Sequence, residues 1–148
     1  MRYEAAPASA AIKTISAIVV VLNCVLLAVS IFNSIMIVPS LLLTCLTLGC
    51  YLRAPVAYHL SHAGLTVQFR LGHKNFGKIV GHTLIEEKPA MCLRLFGNGG
   101  LFAGTGIFWS RSWGLFRAYI TTSNYSNMLL LETEKGKVLI SPANRPEL

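Results

Sequence analysis

Residues 14–32 and 35–52 are two apolar runs without a single charged side chain, separated only by Asn33 and Ser34. At about 1.5 Å of rise per residue, each run is about 27 to 28 Å long as a helix, close to the ~30 Å thickness of a bilayer's hydrocarbon core. The pair therefore reads as a transmembrane helical hairpin. From about Val56 onward the pattern changes to short alternating segments and glycine-rich turns. The expected organisation is an N-terminal cytoplasmic tail over residues 1–13, a hairpin over 14–52, an all-β domain over 56–142 and a short tail over 143–148.

Charge orients this arrangement. Of thirteen Lys and Arg, only Arg2 and Lys13 precede the first run, and none lies in the connection between the runs. By the positive-inside rule both termini are expected in the cytoplasm, with two passes through the membrane. A cleaved signal peptide is the competing account of the first run, since Ala28, Val29 and Ser30 have cleavage-like spacing. The run exceeds the usual ~7 to 15 apolar residues of such a signal, and a second run follows at once, which favours the hairpin. Cys24, Cys45 and Cys50 lie inside the runs and only Cys92 lies beyond them, so no disulfide framework is available to the β domain.

Within the first run, Ser16, Asn23 and Ser30 recur every seven residues; in the second, Ser40, Thr44, Thr47 and Tyr51 follow at steps of four, three and four. Each set occupies one helix face. Polar seams of this kind pack against other helices, where each hydrogen bond is worth about 0.6 kcal/mol. The seams are expected to meet each other within one hairpin, with contacts between copies or with another membrane protein as the alternative. The runs carry no ionisable residue beyond cysteine, which argues against an ion path. Pro39 is tolerated only in a helix's first turn, so the connection is expected to run from Asn33 to Val38 and shorten the second span.

Beyond Arg53-Ala54-Pro55, strands are expected over 56–60 and 65–70 around the turn 61–64, then over 76–83, interrupted by Gly77 and Gly81. A hairpin follows with strands 107–110 and 115–122, where Phe116, Ala118 and Ile120 alternate with Arg117, Tyr119 and Thr121. The last hairpin joins 127–133 to 137–141 through Glu134-Lys135-Gly136. About seven short strands and no soluble helix point to a small barrel or sandwich.

The order of Arg94-Leu95-Phe96-Gly97-Asn98-Gly99-Gly100, Gly104-Thr105-Gly106-Ile107-Phe108, Tyr119-Ile120-Thr121-Thr122 and Leu129-Leu130-Leu131-Glu132-Thr133, with Gly136-Lys137 and Ile140-Ser141-Pro142, resembles the bacterial PH-like domains. The resemblance covers 56–142. It implies a pleckstrin-homology-type, seven-stranded, strongly bent sheet or barrel tethered to the bacterial inner membrane, and a binding module without catalytic machinery. Two departures stand out. The turn 61–64 carries no Lys or Arg where phosphoinositide-binding relatives place theirs, and Pro142 and Pro146 leave little or no C-terminal capping helix.

Enzyme chemistry finds few residues. The chain has no aspartate, and its one close glutamate pair, Glu86-Glu87, would point to opposite faces of a strand. His59, His62, His73 and His82 match no metal-ligand spacing, and Cys92 has no thiol partner nearby, so no metal or cofactor is expected. The glycines at 97, 99, 100, 104 and 106 lack the following helix and the lysine of a phosphate-binding loop, and are read as bends and close backbone contacts.

Contact chemistry is richer. Trp109 and Trp113 flank Arg111 in a turn, with Phe102 and Phe108 close in sequence, a set suited to a protein interface or simply to a core. Arg53, Arg70, Lys74 and Lys78 follow the second run closely and suit anionic headgroups, at about 1 kcal/mol each. Nucleic-acid binding is not expected from so few basic residues on a membrane tether. A domain lacking its capping helix leaves apolar surface or an unpaired edge, so homo-oligomerisation or a membrane-protein partner is expected, through Trp113 and its turn or through the last strand with Val138. The leading function is a cytoplasmic interaction or assembly module; an anionic-lipid sensor is the alternative, and a small enzyme or accessory subunit is more distant.

Overall fold

The computed structural model describes residues 1–61, 63–85, 91–125 and 128–144. Ala10–Phe32 forms helix α1, and Ser34–Met36 a 3-10 turn that leads into helix α2, Ile37–Leu52. The Ser9 hydroxyl caps α1 by accepting from the Ile12 amide at 3.4 Å. Asn33 ends it, its own amide donating to the Val29 carbonyl and its side-chain oxygen accepting from the Ile35 amide. Pro39 is the third residue of α2, within the first turn, where its missing N–H removes no helical bond. Both helical segments are long and apolar enough to cross a membrane, and only 11% and 6% of their most apolar stretches are buried by the rest of the protein. A soluble core helix would be covered; these are bare.

The seams meet within the hairpin. Ser16, Asn23, Ser40 and Thr47 are buried, as is Ile12, in helices that are mostly exposed. The Thr44 hydroxyl donates to Asn23 Oδ1 at 3.2 Å, and the Ser40 hydroxyl reaches the Leu26 carbonyl at 3.1 Å. Thr47 is packed without a hydrogen-bond partner for its hydroxyl, and Ser30 turns back to the Leu27 carbonyl of its own helix.

Ten strands are described: β1 Arg2–Glu4, β2 Pro55–Ser61, β3 Gly64–Phe69, β4 His73–Asn75, β5 Ile79–Leu84, β6 Cys92–Gly99, β7 Gly104–Ser110, β8 Gly114–Ile120, β9 Leu129–Thr133 and β10 Gly136–Ile140. They form a four-stranded sheet, β1-β2-β3-β4, and a six-stranded sheet, β5-β9-β10-β8-β7-β6, antiparallel except where β10 pairs parallel with β8. The all-β reading holds, with β1, β4 and β6 added to the expected strands. Those three were hard to read because β1 and β4 are three residues long and polar, and because the glycines of β6 break its alternation. No helix follows β10 among the described residues; His62, Glu86-Glu87 and residues 145–148 lie outside them.

The first residues correct the expectation of a free tail. Arg2, Tyr3 and Glu4 pair antiparallel with His59, Tyr58 and Ala57, so the helical hairpin is a connection between two adjacent strands of one sheet. The segment then crosses to the other sheet. Ala6 donates its amide to the Ser141 carbonyl at 2.8 Å, Ser9 to the Thr121 carbonyl at 3.2 Å, and Ala143 to the Glu4 carbonyl at 2.8 Å. The N-terminal segment is thus bonded to both sheets.

Between the sheets lies a core of Tyr58, Leu60, Leu65, Val67, Phe76, Leu129, Leu131, Val138 and Ile140. A second cluster, Ile85, Phe116, Ala118, Met128, Leu130 and Leu139, lies on the other face of the six-stranded sheet. Strands β9 and β10 are therefore buried on both faces, which explains their continuous apolar sequences.

Candidate functional site

Three regions of the β domain carry interaction chemistry. The first is the junction with the hairpin. Leu52 accepts from the Leu71 amide and Ala54 from the Arg70 amide, so the β3–β4 turn is bonded to the end of α2. On the other side the β6–β7 turn reaches α1, where the Phe102 amide donates to the Ser16 hydroxyl at 2.8 Å. The Phe102 ring meets Tyr51 edge-on at 5.2 Å, and the Arg70 guanidinium lies 4.3 Å over the same tyrosine. Asn98 builds this turn: its side-chain oxygen accepts from the Leu101 amide at 3.0 Å and its side-chain NH2 donates to the Leu101 carbonyl. The expected close backbone contact is at Gly97 and Gly106, which oppose each other; a Cβ on Gly106 would lie 2.2 Å from the Phe96 carbonyl oxygen.

The second region is basic. Lys74 sits over the Phe76 ring at 5.6 Å, and its ammonium is pushed below the usual lysine range by burial first and then by Arg117, Arg53 and Lys135. Tyr119 next to it is pushed up by burial, against the pull of Arg117 and Arg53. Arg53 and Lys74 are thus together as expected, with Arg70 at the adjoining junction. The Lys78 backbone amide donates to Glu134 Oε2 at 3.2 Å. Arg117 and Lys135 join the basic group, and only the polar side of the 115–122 alternation hinted at Arg117. Among the described residues the one ion pair is Lys137–Glu132, at 3.2 Å, so the basic group has no carboxylate partner.

The third region is apolar. On one face of the outer three strands, Leu93 stands opposite Trp109 and Trp109 opposite Leu115; next to that row Phe96 stands opposite Ile107, and Ile107 opposite Arg117. In the same sheet Val138 pairs with Arg117 and Ile140 with Tyr119, so this is the face that β9 and β10 turn into the core. The four-stranded sheet covers only part of it. Leu93, Phe96, Trp109 and Leu115 remain 52%, 78%, 36% and 60% exposed. Rising about 3.3 Å per residue, β7 carries Trp109 roughly 17 Å along the strand from Gly104, the end at the hairpin.

The sequence-derived contact set is thereby divided. Phe102 belongs to the membrane junction, not to the tryptophan turn. Arg111 is exposed in the β7–β8 turn, and Trp113 packs edge-on against Phe116 at 5.5 Å as part of the second cluster. Val138 is fully buried on a strand paired on both sides, so it offers no edge. Among the described residues the edges of this sheet are β5 and β6, and the glycine pattern concealed β6. Among the described residues no three His, Cys, Asp or Glu side chains gather as a metal site would require.

Two facing sheets behind two bare apolar helices define a membrane-associated β module. A family model described as bacterial PH domain matches residues 57–148, and the chain belongs to that family. Neither the curated proteins nor the solved structures contain a match.

Proposed function

We propose that this protein is a non-catalytic assembly module of the bacterial cytoplasmic membrane, which spans the bilayer twice and pairs with a second copy through the apolar face of β6, β7 and β8. The observation that carries the reading is that a core-type sheet face, with Leu93, Phe96, Trp109 and Leu115, runs on uncovered past the sheet that packs on it. An exposed apolar patch of this kind marks a contact surface. Its distance along β7 from the hairpin favours a protein over lipid as the occupant. Both termini lie in the cytoplasm, since Arg2, Lys13 and all later basic residues flank the hairpin on one side and β1 is bonded to β2.

Copies inserted the same way are related by an axis along the membrane normal. Strands leading away from the bilayer then run side by side, and the two apolar faces meet as packed sheets about 10 Å apart. Confinement to one membrane adds to the affinity of the patch through effective concentration. The unpaired basic group supports a second contribution, attraction of anionic headgroups, which fades as salt rises.

Mass photometry of the full chain in lipid nanodiscs tests the reading. The parent is expected as a dimer and the Leu93→Lys/Leu115→Lys variant, which sets like charges against each other across the axis, as a monomer. A parent that is monomeric at every expression level rejects the function; a dimer that ignores both lysines rejects this surface.

A further inference from the structure

A cleft of about 450 Å³ lies where the hairpin meets the β domain. Its lining includes the small side chains Ala5, Ala8 and Ala54, with Ile12, and the two cations Lys13 and Arg70. We propose that this cleft holds an anionic glycerophospholipid, with the headgroup phosphate between Lys13 and Arg70 and the upper part of an acyl chain against Ile12 and the alanines. The inference rests on the membrane placement proposed above but not on pairing of copies.

Three observations converge on that occupant. Lys13 is in the first turn of α1 and the Arg70 amide donates to the Ala54 carbonyl, two residues past α2, so the two cations bracket the helix bases at headgroup level. Neither meets a carboxylate among the described residues. Arg70 rests on the face of Tyr51, a contact that fixes the guanidinium while leaving its in-plane N–H donors for a phosphate. Ile12 of α1 lines the cleft, and the helix beyond it is largely bare, so an acyl chain has an apolar helix to follow toward the bilayer. A soluble anion would gain nothing from that wall. The alanines matter because a larger side chain at any of them closes the space.

The full chain, purified in mild detergent, is titrated separately with dioleoyl phosphatidylglycerol, dioleoyl phosphatidylcholine and inorganic phosphate, with native mass spectrometry and thermal unfolding as readouts. Phosphatidylglycerol is expected to remain bound and to raise the melting temperature, and the other two to do neither. Lys13→Gln/Arg70→Gln should weaken phosphatidylglycerol by about tenfold or more. Ala8→Trp should do the same with every charge in place, whereas Arg70→Lys and the distant Arg111→Gln should retain the lipid. Equal retention of phosphatidylcholine, equal stabilisation by inorganic phosphate, or retention that survives Ala8→Trp overturns the proposal. Alkaline extraction of the parent from membranes separates the two levels: a protein released into the supernatant defeats the membrane placement itself, and one that stays in the pellet without a phosphatidylglycerol preference defeats only the cleft.

Discussion

Thr121→Val tests whether the N-terminal segment locks the two sheets together. The Thr121 hydroxyl is buried, donates to the Ala6 carbonyl at 2.5 Å and lies 3.3 Å from the Ser141 hydroxyl, while its amide donates to Ser141 Oγ at 2.9 Å. Valine keeps the shape and the amide bond but removes the hydroxyl. The net bond is worth about 1 kcal/mol, and stranding the Ala6 carbonyl in a buried site adds about 1 to 2 kcal/mol, for a loss of about 2 to 3 kcal/mol. For a domain of roughly 100 residues this lowers the melting temperature by about 10 °C or more. Trp109 and Trp113 both lie in the β domain, so their fluorescence during heating in mild detergent reports the transition. The Ala5 and Ala6 amides, bonded to the Val56 and Ser141 carbonyls, should also exchange faster. Thr121→Ser, which keeps the hydroxyl, should stay near the parent. If Thr121→Val melts within about 2 °C of the parent, the segment is an ornament on the sheets and the reasoning fails.

Two further perturbations address the interior. Gly106→Ala should prevent the β6–β7 hairpin from closing, because φ is +151° and the added carbon meets backbone at 2.2 Å; a soluble, well-dispersed variant with the parent's melting temperature would refute the close approach. Tyr58 is buried, donates to the Tyr119 carbonyl at 2.7 Å and has its pKa pushed up to about 12, by burial first. A folded pKa above the unfolded value of about 10 means that this stabilising term is whole below pH 10 and is lost as pH rises from 10 to 12, by about 1.4 kcal/mol per unit. Alkaline melts should therefore steepen in that window for the parent and less for Tyr58→Phe, and identical pH profiles would contradict the burial.

The hairpin was legible because a bilayer demands length and apolarity within one continuous segment, and 14–32 and 35–52 supply both. Its seam was legible in part: the seven-residue spacing puts Asn23 and Ser16 on one face, but only Asn23 meets α2, through Thr44, while Ser16 meets the β6–β7 turn. The strands β2, β3, β8, β9 and β10 followed from alternation or apolar runs with turn residues between them. What escaped depends on pairing across long separations. Nothing local marks Arg2–Glu4 as a strand; its partners lie beyond two membrane-length helices. Val138 looked like an edge because it is near the end of the chain, whereas the parallel pairing of β10 with β8 puts it in the middle of a sheet. The same long-range pairing gathers Arg117 with Arg53 and Lys74, and leaves Leu93 and Leu115 beside Trp109, where no window of sequence places them together.

Because the hairpin connects β1 to β2, the order of synthesis and the order of folding run against each other. Strand β1 waits for partners about fifty residues later in the chain, and closing a flexible loop of that length would cost about 3.5 kcal/mol. Pairing of α1 with α2 removes most of that cost, since two packed helices return the chain to within a helix diameter of where it left. Under the membrane placement proposed above, the bilayer would act as a template for the β domain, with β1 settling only after both helices have been accepted.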